Sequence, residues 1–274
     1  ENPVNEDGGH KTSYLWEEVL LPDSVLDLIE NYVHIRKEVE KVYDPETKRI
    51  VEKKSEILVF PRYHQLNVIR ELKDSVIKED VGNNYLIEHT TGSGKSLSIG
   101  WLSHLLTSLH RNPSDTKRMF DSVIVLTDRK VLDKQIQNTI KQLEQTKGVV
   151  SPVDIDSQQL KDYLEKGKHI IITTVQKFPV ISGSISELKS KTFGVIIDEV
   201  HSSQSGETSR HIRKSLSKSI KEDFKEGEGD EDLTEVDKLI LNEISLRGKQ
   251  SHISYFGFSG TPKNKTQEVF GRKD

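Results

Sequence analysis

From Pro61 onward, short apolar runs rich in β-branched residues alternate with longer stretches whose apolar residues recur every three or four positions. The runs NYLI, DSVIVLT, HIIITTV, FGVIIDEV and HISYFGFSG predict strands. HQLNVIRELKDSVI, SLSIGWLSHLLTSLH and RKVLDKQIQNTIKQL predict helices. Strands without a polar face belong to a sheet covered on both sides. The alternation therefore predicts an α/β domain, a mostly parallel sheet flanked by helices.

The pattern before Pro61 differs. Residues 1–11 are polar and read as a linking end. LPDSVLDLIENYVHIRK carries Leu26, Ile29 and Val33 at helical spacing behind an Asp23/Ser24 cap, which predicts a helix. VYDPETKRIVEKKSEILVF places a DPET turn between β-leaning runs and predicts a hairpin. The expected layout is a mainly helical linking segment with a hairpin over 1–58, then the α/β domain over 59–274. Within that domain, KSIKEDFKEGEGDEDLTEVDK is crowded with charge and predicts a mobile acidic surface insertion over 220–232.

Composition narrows the picture only slightly. The chain has 274 residues, a formal charge of −4 and 31% charged residues, so no global basic field advertises nucleic acid. It contains no cysteine, which excludes disulfides and thiolate metal sites and suits an intracellular, cytoplasmic setting. No apolar run reaches membrane-spanning length and no secretory leader is visible, so no membrane partner is expected. The first residue is Glu1, which is compatible with an excised or processed piece.

Two short motifs carry chemistry. EHTTGSGKSLS lies between a predicted strand and a predicted helix, the context of a phosphate-binding loop. Backbone N–H groups of Thr91, Gly92, Ser93 and Gly94, with the following helix N-terminus, face polyphosphate in such a loop. Lys95 supplies charge to the β and γ oxygens and Ser96 a hydroxyl to a metal. The strict pattern wants glycine where this chain has His89. At the end of VIIDEVH, Asp198 and Glu199 stand side by side. Asp198 with Ser96 proposes a Mg²⁺ site, and Glu199 the residue that orients or deprotonates the attacking water. His201 is placed to couple to the γ-phosphate, or is structural. In FSGTP, the hydroxyls of Ser259 and Thr261 are candidates to sense that phosphate.

Taken in order, these motifs resemble the first RecA-like lobe of superfamily 2 helicases and translocases. With the flanking FPRYHQLNVIREL, HTTGSGKSLS, VLTDRKVLDKQI, DEVHSSQSGE and FGFSGTPK, the chain resembles the motor (R) subunit of type I restriction endonucleases from about Pro61 to the end. Valine replaces the alanine usual between the second acid and His201.

The resemblance implies ATP and Mg²⁺ as cofactors. It implies that Gln65 reads the adenine amino edge, favouring ATP over GTP, and that Tyr63 and Arg62 stack on or flank the base. Thr127, Asp128 and Arg129, and then Thr173, Thr174 and Gln176, match segments facing the nucleic-acid track; the same residues also suit helix caps. Implied partners are double-stranded DNA and the methyltransferase (M) and specificity (S) subunits. The implied activity is ATP-dependent DNA translocation that drives cleavage through a separate nuclease domain. Pro22–Asp23 and Glu52-x-Lys54 superficially fit a nuclease pattern, but helix is predicted where such a domain needs strands, so no cleavage site is assigned.

In the family a second lobe supplies an arginine finger, contributing on the order of 10³–10⁵ in rate, for which this sequence has no room. Weak hydrolysis by this lobe alone is expected. Two other readings stay open: another superfamily 2 DNA or RNA helicase or repair translocase, and a nucleotide-binding module without turnover.

Overall fold

A computed structural model describes residues 10–45, 48–90, 92–127, 130–144, 148–152, 162–198, 235–262 and 264–270. The expected acidic insertion, with Thr91, Asp128, Arg129, Glu199 and His201, lies outside the described residues. The chain divides into two compact units, Glu1–Ile69 and Arg70–Asp274, so the division falls within a helix rather than at the expected 58/59 boundary.

In the first unit, a π-helical turn (Leu15–Val19) leads into helix α1 (Pro22–Asn31). The sequence places this helix with three errors. Pro22 starts it, with Leu21 at the N-cap and no side-chain cap, so Asp23 and Ser24 lie inside its first turn. Its buried side chain is Leu28, joined by the buried Tyr32 just beyond its end, while Leu26 and Ile29 are 64% and 63% exposed. The helix also stops earlier than expected, because His34 already begins β1 (His34–Asp44). That strand pairs antiparallel with β2 (Arg49–Val59), in register from His34↔Val59 to Asp44↔Arg49. The expected hairpin is therefore present, with strands longer than the sequence reading gave them. Lys48 closes its turn at φ +51°.

Helix α2 (Tyr63–Glu79) begins in this unit and continues into the second. The second unit is built on β3 (Asn84–Glu88), β4 (Ser122–Thr127), β5 (Val150–Pro152), β6 (Ile170–Thr174), β7 (Phe193–Ile197) and β8 (Ile253–Ser259). They form a six-stranded sheet in the order β3-β8-β7-β4-β6-β5, and every neighbouring pair is parallel. Each long apolar run of the sequence is one of these strands, and β4, β7 and β8 are buried along their whole length.

Helices α3 (Lys95–Ser108) and α4 (Lys130–Gln142) pack on one another and against the sheet. Gly194 of β7 faces this layer, and a Cβ there would lie 3.5 Å from Phe120 and 3.6 Å from Leu106, ordinary contact distances. Alternate positions, among them Ile124, Leu126, Ile171, Val195 and Ile197, form a second apolar cluster with α5 (Phe178–Glu187), α6 (Glu235–Arg247) and Phe270 of α7 (Asn264–Phe270). This is a RecA-like α/β layer. Its packing follows from strands that have no polar face to offer water.

Candidate functional site

Parallel strands that share one direction put all their carboxyl ends on one edge of the sheet, where ligands of open α/β folds bind. Three of the sequence motifs arrive there on adjacent strands. β3 leads into the phosphate loop, its neighbour β8 ends at Ser259, and the next strand β7 ends just before Asp198. Backbone hydrogen bonds hold these exits together. His89 N–H donates to the Ser259 carbonyl at 2.7 Å, and Asp198 N–H donates to the Leu126 carbonyl at 3.0 Å.

Between β3 and α3 the chain turns tightly. Gly92 and Gly94 have φ of +81° and +89°, the left-handed region that residues with a Cβ adopt at a cost. Ser93 N–H donates to the Thr90 carbonyl at 3.2 Å. Gly94 is the N-cap of α3, and its carbonyl accepts from Leu97 and Ser98 N–H at 3.0 and 3.3 Å. This helix start has no side-chain cap and no acidic residue in its first turn. The helix's own first turn thus adds no negative charge to its N–H dipoles, which suits an incoming anion.

Lys95, the first helical residue, reaches across to the β7 exit. Its Nζ lies 3.2 Å from Asp198 Oδ1, with the two side chains 16% and 6% exposed. A mostly buried ammonium and carboxylate are thus held beside a loop of backbone donors. Among the described residues no group of three or more His, Asp or Glu could hold a metal alone. That donor set fits Mg²⁺, which binds through one or two protein oxygens and takes the rest from water and phosphate. Asp198 and Ser96, the latter in the first turn of α3, are the residues here that would serve it.

Other expected residues fare unevenly. Thr127 ends β4 and Thr174 ends β6, directly paired in register. Thr127 is completely buried, with its hydroxyl 3.5 Å from the Thr173 carbonyl, and Thr173 is buried beside it, so neither presents a surface to a DNA backbone. Thr174 is half-buried and precedes a 3₁₀ turn (Val175–Lys177) that carries Gln176. Ser259 is buried and Thr261 exposed. In the first unit, Gln65 is only 2% exposed, and its Oε1 accepts the Arg62 N–H at 2.9 Å across the first turn of α2. Tyr63 donates to Glu18 Oε2 at 3.0 Å and packs edge-on against Tyr14 at 5.0 Å. Arg62 is exposed.

The sequence treats His89 only as a departure from the loop pattern. In the structure it is 4% exposed, and its ring contacts both Ser93 of the loop and Ser98 of α3. A histidine and two serines at positions i, i+4 and i+9 around a loop were the available signal.

A separate cleft of about 840 Å³ opens at the other, amino-terminal edge of the sheet, lined among others by Asn83, Asn84, Lys249, Gln250 and Glu268. Burial pushes the Tyr255 phenol in its wall up to about 12. No residue of the loop reaches this cleft, and the chemistry described above stands at the opposite edge.

The family model of the SWI2/SNF2 ATPase matches residues 64–224. The endonuclease subunit of a type I restriction enzyme from Staphylococcus aureus (strain COL) is 28% identical over 236 residues, covering 81% of this chain and 20% of that protein. The ATP-dependent helicase Lhr-Core of Sulfolobus acidocaldarius is 24% identical over 178 residues, covering 60% of this chain and 19% of that one. Among solved structures, the helicase domain of Hef from Pyrococcus furiosus superposes with a TM-score of 0.46 at 16% identity, over 76% of this chain and 35% of that one. The chain spans about a fifth of the length of the curated relatives it matches.

Proposed function

The chain belongs to the SWI2/SNF2 ATPase family, and on that footing we propose that it is the ATP-binding motor lobe of a double-stranded-DNA translocase serving a type I restriction system. The observation that carries this reading is the Lys95–Asp198 pair at the mouth of the phosphate loop. The likeness over 81% of the chain to a type I restriction enzyme endonuclease subunit supports the choice among ATPases.

In this reading the N–H groups around Gly92, Ser93 and Gly94 and the start of α3 cradle the β- and γ-phosphates of ATP, with Thr91 completing the loop. Lys95 turns from Asp198 toward phosphate oxygens that carry more charge. Asp198 and Ser96 then hold Mg²⁺, whose positive charge offsets the charge that develops on the transferring phosphoryl group. Glu199 orients water for in-line attack. Gln65, whose Oε1 accepts the Arg62 N–H, reads the amino edge of adenine, with Tyr63 and Arg62 flanking the base. Thr174, Arg129, His201, Ser259 and Thr261 remain for DNA contact or coupling, while the buried Thr127 supports the end of the sheet.

The second lobe and its arginine finger come from outside residues 1–274. Double-stranded DNA and the methyltransferase and specificity subunits are the proposed partners, in the cytoplasm. Among the described residues no helix is long and apolar enough to cross a membrane.

The test is steady-state ATP hydrolysis by the protein assembled with methyltransferase and specificity subunits, with Lys95→Ala as blank. Duplex DNA, single-stranded DNA, RNA and no nucleic acid are compared. The reading predicts stimulation by duplex DNA that the substitution abolishes. Stimulation by RNA or single strands alone would replace it with a helicase, and absence of turnover with a nucleotide-binding module.

A further inference from the structure

His89 stands where the strict phosphate-loop pattern has glycine, at the exit of β3. A glycine there would keep the backbone N–H but offer no side chain to tie the loop to the helix. His89 instead joins three segments of the site. Its backbone N–H is bonded to the Ser259 carbonyl at the end of β8. Its Nδ1 meets Ser93 Oγ in the loop, and its Nε2 lies 3.0 Å from Ser98 Oγ one turn into α3. The ring sits 6.2 Å from that of Phe258, which precedes Ser259 in the same strand.

The hydrogen bonds assign direction. Ser93 spends its one hydroxyl proton on the Thr90 carbonyl, so its oxygen accepts from the ring and Nδ1 is the protonated nitrogen. Nε2 meets the hydroxyl of Ser98, itself fully buried, which donates to that nitrogen when it carries no proton. The network runs from the loop's entrance through its tip into the helix that carries Lys95 and Ser96.

We propose that His89 is a positioning residue that holds the phosphate loop in its nucleotide-ready shape before nucleotide arrives. The inference rests on the nucleotide reading above and deepens it. The two glycines at positive φ leave the loop many alternative conformations, and binding has to select one of them. The tie from Ser93 through His89 to Ser98 removes part of that cost in advance. The residue touches no phosphate itself; it acts through the backbone donors that do.

The test is titration of the full chain with a fluorescent Mg·ADP analogue, with circular dichroism to verify folding. His89→Ala and His89→Gly should each weaken binding about tenfold, the glycine variant despite restoring the strict pattern. His89→Asn should recover most of the affinity, because its side-chain amide can donate to Ser93 as Nδ1 does; His89→Leu, of similar bulk, should not. Ser93→Ala removes the same tie without touching a buried residue. It should cost a similar factor, and combined with His89→Ala it should cost little more than either alone. Binding by His89→Gly, His89→Leu or Ser93→Ala equal to that of the unsubstituted chain would overturn the inference while leaving the nucleotide site standing. No binding by the unsubstituted chain, or binding indifferent to Lys95→Ala, would overturn the nucleotide reading and the inference together.

Discussion

The ammonium of Lys95 and the carboxylate of Asp198 meet at 3.2 Å, although one opens α3 and the other follows β7. Neither strand nor helix alone brings them together. The parallel sheet does, by delivering both exits to the same edge.

A mostly buried pair of this kind is costly to break from one side, since the surviving charge keeps its desolvation penalty. Without nucleotide, Lys95→Ala should lower stability by about 1–3 kcal/mol. The double variant Lys95→Ala/Asp198→Ala should lose less than the sum of the two single changes. Chemical denaturation of the four proteins measures the coupling. Additive losses would mean that the contact contributes nothing in solution.

A second prediction concerns pH. Burial first, and then the charges of Arg118 and Lys168, lower the affinity of His169 for a proton below its ordinary value of 6.5. The geometry agrees: Arg118 Nη1 donates to His169 Nδ1 at 2.8 Å, which requires that nitrogen to be unprotonated. Below about 6.5 the unfolded chain therefore takes up a proton that the folded chain resists, so this contribution is intact above that pH and is lost as pH falls through it. His34, lowered chiefly by burial, acts in the same window, whereas Asp80, whose burial is outweighed by its Arg111 and Val81 hydrogen bonds, acts only at lower pH. Melting temperatures between pH 7.5 and 5 should fall less steeply in His169→Gln than in the unsubstituted chain; equal slopes would refute this.

Gly82 offers a backbone test. It sits at φ +106°, its N–H donates to Ser254 Oγ at 2.9 Å, and an added Cβ would lie 2.8 Å from the Ser251 Cα. Gly82→Ala should cost about 3 kcal/mol, from strain and from collision with main chain that cannot yield. Gly148, at φ +92° with open space around it, should cost only about 1–2 kcal/mol on the same change. Equal losses would show that the contact with Ser251 is relieved without penalty.

Phe256 tests the core behind the site. It is fully buried in β8, stacked on Tyr85 at 5.1 Å and edge-on to Phe120 at 6.3 Å. Phe256→Ala should destabilise the protein by about 3–5 kcal/mol through the cavity it leaves, as read by denaturant midpoint. A loss below 1 kcal/mol would mean that the core refills.

Much of this was legible in the sequence, for an identifiable reason. Strands buried on both faces must be apolar throughout, so DSVIVLT, FGVIIDEV and HISYFGFSG announce themselves. The loop was legible because Gly-Ser-Gly-Lys-Ser between strand and helix has few other uses. The strand order was not, since β8 inserts between β3 and β7 through contacts far apart in sequence. Nor was the short strand β5, whose three residues have no period to read. Helix α1 misled through its composition: Leu26 and Ile29 have the spacing of a buried stripe, yet Leu28 and Tyr32 are the residues covered. Thr127 misled in the other direction. Its hydroxyl suggested a surface role, but as the last residue of a central strand it is covered like the apolar residues before it. Gln65, which sequence alone allows on a helix surface, is buried by its place in the first turn of α2.

The most direct test of the central claim is calorimetric titration of ATP into the chain with and without Mg²⁺, alongside Lys95→Ala and Asp198→Ala. The account predicts saturable binding that strengthens with Mg²⁺, is lost in Lys95→Ala, and loses its dependence on Mg²⁺ in Asp198→Ala. Binding by Lys95→Ala as tight as that of the unsubstituted chain would contradict it.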